Sequence, residues 1–326
     1  MTLGVIVAIA NDDTKCYQEA MMRAVQIDTF GGPEVLRFVE TDAPAPGPGQ
    51  IQVEVRACGT NPADWVVREG ALGGQLPQGT GFEIAGVVSA LGEGVEGTAV
   101  GDRVFGNLFF GGTTSGAAEF AVLAHWGAIP DGMSFEQAAA IPMVAETAVR
   151  VLDEVGVAEG HTVFLNGGSG AVGQLATQIA VRRGARVIVT SGEAKEALMR
   201  ELGAEVTRYG EGLEERVRAL APQGVDRVVD MGRGGVLPTL IALAGDPSRL
   251  VTISDFEHAA EFGVRASGRE GTDFRLDAPQ TVADAIAAGT LSLPVWRVEP
   301  WEKIAEVQED IKSGTAKGKT VLRVSA

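Results

Sequence analysis

TVFLNGGSGAVG, residues 162–173, decides the fold. Five strand-forming residues run into Gly168-x-Gly170-x-x-Gly173, and AVGQLATQIAVRRG (171–184) continues with the spacing of an amphipathic helix. The glycine pattern alone says little, because a chain with 44 glycines will produce it by chance. Strand, turn and helix in register give it meaning. Gly168 would permit the sharp turn, Gly170 would let backbone approach a pyrophosphate, and Gly173 would pack helix against strand. The first helical turn then offers N–H groups and the positive end of its dipole to phosphate oxygens. A glycine-rich βα turn without a ligand is the plainer alternative. The register favours a dinucleotide site.

Working outward, strands RVIVT (186–190), VDRVVD (225–230) and RLVTIS (249–254) follow, with helical AKEALMRELG (194–203) among them. Strands alternating with helices read as right-handed βαβ units on a parallel sheet. Upstream, residues 23–142 are β-rich. IQVEVRA (51–57) and IAGVVSAL (84–91) are separated by turns such as APAPGPGQ (43–50), which predicts a compact, barrel-like unit. SFEQAAAIPMVAETAVRVLDEVG (134–156) has helical character, with Pro142 marking a bend or junction. Residues 280–326 add helix TVADAIAAG, strand VWRVE, helix WEKIAEVQEDIKSG and strand TVLRV. The fold class is therefore α/β, a doubly wound parallel sheet joined to a β-barrel-type unit. Residues 1–22 differ in texture: NDDTKCYQEAMM is polar and aperiodic, and reads as an extension or a start placed too early.

A length of 326 residues suits two domains, and a formal charge of −16 argues against a general phosphate-backbone binder. Cys16 and Cys58 form no disulfide framework, so a reducing, cytoplasmic setting is expected. The apolar run LGVIVAIA (3–10) is too short to span a bilayer and lacks the flanks of a signal peptide, so a soluble protein is expected.

After the second strand of the series comes SGEAK (191–195), where an acid would hold both ribose hydroxyls of NAD and repel a 2′-phosphate. Ser191, Gly192 and Lys195 instead offer a hydroxyl, a backbone N–H and a cation, which suits NADP(H); Glu193 opposes them. The same region admits another chemistry. Ser169 could be a nucleophile with Asp230 and His258 in hydrolase order, although Ala171 stands where a nucleophile elbow has glycine.

Several ordered segments carry a resemblance: GGPEVLRFVE (31–40), NPADWVVREG (61–70), GFEIAGVVSALGEGV (81–95), VGDRVFG (100–106), AAAIPMVAETA (138–148), NGGSGAVGQLATQIA (166–180) and GKTVLRV (318–324). Over residues 23–326 the chain resembles the medium-chain dehydrogenase/reductase superfamily, in its zinc-independent quinone oxidoreductase-like branch. The resemblance implies a GroES-like catalytic domain, residues 23–142 and 267–326, interrupted by a Rossmann NADP-binding domain, residues 143–266. The reactive cleft would lie between them.

In zinc-dependent relatives a cysteine ligand stands at the position of Asn61 and a histidine at that of Phe82, so the resemblance implies no catalytic metal here. His125, His161 and His258 are scattered and read as turn or surface residues. By resemblance, Asn61 and Thr147 line nicotinamide and ribose, and Gly168, Gly170, Ala171, Val172 and Gly173 hold the pyrophosphate. Ser191, Gly192, Lys195 and Tyr209 lie by the adenosine phosphate, and Ser254 and Lys319 also reach the cofactor. Trp65, with Phe109 and Phe110, would form an aromatic wall for a flat substrate, ordinary core packing being the alternative for each, and Asn61, Trp65 and Thr147 make up the expected catalytic set. Asp64 fixes its loop, Cys58 is a packing residue, and water protonates the product because Tyr17 and Tyr209 are the only tyrosines.

The expected activity is NADPH-dependent hydride transfer to a quinone or an α,β-unsaturated ketone, the developing oxyanion being held by hydrogen-bond donors. Reduction of an enoyl thioester or polyketide intermediate is the alternative within that chemistry. A non-redox catalyst or binding protein on an inherited reductase scaffold is the alternative outside it. A homodimer is expected, through sheet extension near residues 249–269.

Overall fold

The computed structural model describes residues 21–108, 115–232, 235–269 and 271–324. Strand β1 (Met21–Ile27) opens two residues before the predicted start and pairs antiparallel with β2 (Arg37–Asp42). β3 (Ile51–Gly59) follows the alternation read from its sequence: Ile51, Val53, Val55 and Ala57 are buried, with half-buried polar residues between them. Helix α1 (Pro62–Arg68) and the short β4 (Gln78–Gly79), which pairs with β1, come next. β5 (Glu83–Leu91), β6 (Arg103–Asn107), β7 (Phe120–Leu123) and β8 (Gly127–Ala128) continue the larger sheet around β3.

The predicted helical stretch splits in two. α2 (Phe135–Ala139) is opened by Ser134, whose hydroxyl accepts the Gln137 N–H while the Gln137 side chain returns to the Ser134 N–H. α3 (Pro142–Glu154) then starts at the proline, which lacks an N–H and so can stand only in the first turn.

The parallel unit runs β9 (Thr162–Asn166), α4 (Ala171–Arg182), β10 (Arg186–Thr190), α5 (Glu196–Glu201) and β11 (Glu205–Thr207). It continues with α6 (Leu213–Leu220), β12 (Arg227–Asp230), α7 (Leu237–Ala244), β13 (Leu250–Thr252), α8 (Phe256–Ala259) and β14 (Arg265–Ala266). Its strands are all parallel, in the order β11-β10-β9-β12-β13-β14. Helices cover both faces, so Phe164, Leu165, Ile188, Val189, Val228 and Val229 lose essentially all exposure.

α9 (Ala278–Ala287), β15 (Val295–Pro300), α10 (Ile304–Ser313) and β16 (Lys319–Arg323) complete the chain. β16 pairs antiparallel with β3, which returns the C-terminal segment to the first sheet. One apolar core runs through the junction, joining Phe105 and Val321 of the first sheet to Val151 of α3 and to Leu165 and Leu175 of the parallel unit. That continuity holds the two sheets, and the site between them, in fixed relation. Among the described residues, no helix is long and apolar enough to cross a membrane.

Candidate active site

The glycine turn forms a cradle at the C-terminal end of β9. Its left-handed residue is Gly167, at φ 81°, rather than Gly168, to which the sequence assigned the sharp turn. Gly168 serves packing: a Cβ there would lie 2.5 Å from the Cβ of Val189. A Cβ on Gly173 would lie 2.5 Å from the Cα of Gly168, so the helix sits against the turn itself. Gly170 differs. It is the N-cap of α4 without a side-chain cap, and a Cβ there would meet nothing nearer than the Gly167 carbonyl at 3.5 Å. The space beside Gly170 is open, and Ala171, Val172 and Gly173 present first-turn N–H groups that α4 itself does not use.

Cations gather at this cradle. Lys195 donates to the Ser169 carbonyl at 2.9 Å, and half-burial pulls its ammonium pKa down. The Ser191 hydroxyl donates to the Gly192 carbonyl, and the exposed Tyr209 hydroxyl lies 3.7 Å from where a Cβ on Gly192 would stand. Glu193, the opposing charge, faces Arg208 at 3.7 Å, and Arg208 also reaches Glu196 at 3.4 Å. Arg208 was not singled out in the sequence, although it precedes Tyr209 directly. A cavity of about 170 Å³ opens beside α4, walled by Ala171, Gln174, Lys195, Trp296, Lys317 and Lys319. Free N–H groups, lysines and an open glycine face fit the phosphates of a dinucleotide.

On the far wall of that cavity, Lys319 turns its ammonium inward. It donates to the Thr60 carbonyl at 2.9 Å, to Asn61 Oδ1 at 2.7 Å, and to Glu83 Oε1. All three of its protons are thus spent inside the protein, in place of the cofactor contact expected for it. Asn61 Nδ2 donates to the same Glu83 oxygen at 2.7 Å, and the other oxygen accepts the Met143 N–H at 2.8 Å. Thr147, partly exposed, lies one turn along α3 from Met143. Asn61 and Lys319 are therefore brought to one place, with Glu83 at its centre.

Asn61 also caps α1. Its backbone N–H donates to Asp64 Oδ2 at 2.6 Å, and Asp64 Oδ1 accepts the Gly81 N–H at 3.0 Å. Burial pushes the Asp64 carboxyl up to about 7, against the pull of those N–H groups and of Lys319. Asp64 thus fixes the loop. Trp65, half-buried one turn from Asn61, has the Lys312 ammonium of α10 5.7 Å from its ring centroid. Cys58 is fully buried, and burial pushes its thiol pKa up. Phe109 and Phe110 lie outside the described residues.

At the strand ends, Asp230 ties the sheet together. It accepts from Asn166 Nδ2 at 2.8 Å, Thr252 Oγ1 at 2.8 Å and Ser254 Oγ at 2.9 Å. Thr190 joins through Asn166 and accepts the Gly167 N–H at 2.7 Å, so the ring fixes the glycine turn. The Ser254 hydroxyl is committed here. His258 is exposed and pairs with Asp255 at 2.8 Å, so Ser169, Asp230 and His258 form no relay. Among the described residues, no group of three or more His, Cys, Asp or Glu side chains could hold a metal ion.

A doubly wound parallel sheet with a glycine turn at its strand ends, joined to a largely antiparallel second sheet, is an arrangement found in dehydrogenases and reductases. Residues 47–151 match the alcohol dehydrogenase GroES-like domain, and residues 171–274 match the family described as zinc-binding dehydrogenase. Rat quinone oxidoreductase is 30% identical over 328 residues, covering 93% of this chain and 98% of the relative. A tomato (Solanum lycopersicum) 2-methylene-furan-3-one reductase is 31% identical over 213 residues, 61% of this chain and 55% of the relative. The quinone oxidoreductase structure from Coxiella burnetii superposes with a TM-score of 0.82 at 28% identity, covering 94% of this chain and all of that one. A mycobacterial structure complexed with NADPH gives 0.80 at 29% identity, covering 93% and 99%. The chain belongs to the medium-chain dehydrogenase/reductase superfamily, in its quinone oxidoreductase-like branch. Its fold is that of an oxidoreductase.

Proposed function

We propose that the protein is a zinc-independent reductase that uses NADPH to reduce quinones or α,β-unsaturated ketones. One observation carries this reading: Lys319 lines the dinucleotide cavity and, on its inner side, holds Asn61 through Oδ1. The cofactor cradle and a fixed amide donor are thereby neighbours. The ammonium of Lys319 is bonded to Asn61 and Glu83, so the Asn61 amide, rather than a metal ion, would face the substrate here. That supports chemistry without a metal.

When bound, the reduced nicotinamide supplies a hydride. Gly170 leaves room at the cradle, and the first N–H groups of α4 hold phosphate oxygens. Lys195, Arg208 and the Tyr209 hydroxyl would take a 2′-phosphate, Arg208 turning to it from the exposed carboxylates of Glu193 and Glu196. Asn61 donates through Nδ2 to a substrate oxygen that gains negative charge, the kind of stabilisation that a preorganised donor gives without reorganisation. Thr147 adds a hydroxyl, and Trp65, with Phe109 and Phe110, forms the aromatic wall against which the substrate packs. Water supplies the final proton.

The organisation that goes with this reading is a catalytic domain of residues 23–142 and 267–326 around a cofactor domain of residues 143–266. A homodimer would form by extension from β14, the last strand of the parallel sheet. The buried, unpaired thiol of Cys58 suits a reducing cytoplasm. NADPH oxidation is assayed against quinones, enones and enoyl thioesters. Turnover with quinones or enones supports the reading, and turnover confined to thioesters transfers it to the enoyl-thioester alternative. Tight NADPH binding with no acceptor turned over would point to an inherited scaffold put to another use.

A further inference from the structure

We propose that Glu83 and Lys319 are positioning residues for this reaction: together they set the Asn61 carboxamide so that one Nδ2–H is left for a substrate oxygen. The inference rests on the reductase reading above and names the device that would make its amide donor reliable.

A carboxamide can usually turn over with little penalty, exchanging its oxygen and nitrogen. At Asn61 it cannot. Its oxygen faces the Lys319 ammonium at 2.7 Å and its nitrogen faces a Glu83 oxygen at 2.7 Å. The flipped amide would set oxygen against carboxylate and NH₂ against ammonium, two repulsive contacts in a buried place. Both charged groups are themselves immobile. Glu83 is fully buried and Lys319 is 4% exposed. Glu83 opens β5 and is held from behind by the Met143 N–H of α3; Lys319 opens β16 and is held by the Thr60 carbonyl. Three separate parts of the fold therefore converge on one amide.

Proton counting gives the consequence. Lys319 has three N–H groups and all are used; Glu83 accepts at both oxygens. Asn61 Nδ2 has two hydrogens, and one goes to Glu83. The second has no hydrogen-bond acceptor among the described residues. It is left with a direction fixed by two opposite charges, and the fitting ligand is a carbonyl or quinone oxygen that becomes anionic.

The chain has four asparagines, Asn11, Asn61, Asn107 and Asn166, so ¹⁵N-asparagine labelling yields four side-chain NH₂ pairs. The full-length protein is studied with NADPH present, and the Asn61 pair is assigned by its loss in Asn61→Ser. Its two protons are expected to resonate far apart, with one protected from exchange. In Glu83→Gln, in Lys319→Met and in the double variant, the pair should collapse towards free-amide shifts. Over the same series kcat should fall roughly a hundredfold, the scale for losing one aimed donor, while the NADPH Kd stays within about threefold. The double variant guards against misfolding, because it leaves no lone buried charge. A purely structural clamp would instead lower the melting temperature and the folded fraction while leaving kcat per folded molecule intact. A folded double variant with parental kcat overturns the proposal, as does an Asn61 pair that does not move. If the parent protein turns over no acceptor, the reductase reading falls, and the NMR arm still decides whether the pair positions the amide.

Discussion

Asp64→Asn should flatten the pH dependence of stability. The Asp64 carboxyl is 2% exposed and sits between the N–H groups of Asn61 and Gly81, with Glu83 adding negative charge nearby. Burial is the largest influence and raises its pKa from 3.8 to about 7. The folded protein therefore keeps the Asp64 proton to near neutrality, whereas the unfolded chain releases it near pH 4. Between those values the folded state binds more protons, so stability falls as pH rises and levels off above pH 7. At 1.36 kcal/mol per pKa unit, the displacement amounts to roughly 4 kcal/mol across the window. Asparagine carries no titrating proton and removes that slope. It also offers one oxygen to two N–H donors, so it should be less stable than aspartate in acid and gain on it towards pH 8. Urea unfolding of both proteins from pH 5.5 to pH 8 measures the difference, since other groups titrate equally in each. Parallel stability curves for parent and variant would refute the reasoning.

Three further outcomes follow from the cradle. Gly170→Ala should leave the melting temperature nearly unchanged, because its Cβ meets nothing nearer than 3.5 Å, yet weaken NADPH binding about tenfold by filling the cradle. Gly173→Ala should lose roughly 1–3 kcal/mol of stability in urea unfolding, because its Cβ would lie 2.5 Å from backbone that cannot move aside. Arg208→Gln should weaken NADPH about tenfold and leave NADH binding unchanged, as titration calorimetry with both cofactors would read. Ser169→Ala should retain reductase kcat within about twofold, since Ser169 is tied into the cradle through its carbonyl, and ester hydrolysis abolished by it would contradict that.

The alternation of strands and helices was legible because β9, β10 and β12 are runs of apolar, mostly β-branched residues and α4 is long and amphipathic. β11 and β14, three and two residues long, carry no periodicity and exist through pairing with their neighbours. α6 and α7, eight residues each, are short helices between strongly marked strands. At the site, the glycine turn could be read because its pattern is local. Asn61, Glu83 and Lys319 could not be joined, since the contacts of Asn61 with them span 22 and 258 residues. A signal was present nonetheless. GFEIAGVV and GKTVLRV each open an apolar strand with a charge, and two opposite charges that begin buried strands need one another. In GFE the phenylalanine stands, by resemblance, at the position of a missing ligand, while the glutamate beside it holds the centre of the site.

The central claim is metal-free hydride transfer from NADPH. NADPH carrying deuterium at the transferred position of C4 is mixed with an enone in the presence of a chelator, and both the rate and the label in the product are measured. Deuterium on the β-carbon of the saturated ketone, at a rate unaffected by chelation, is the result expected. Loss of activity on chelation with recovery by zinc, or product without deuterium at that carbon, would contradict it.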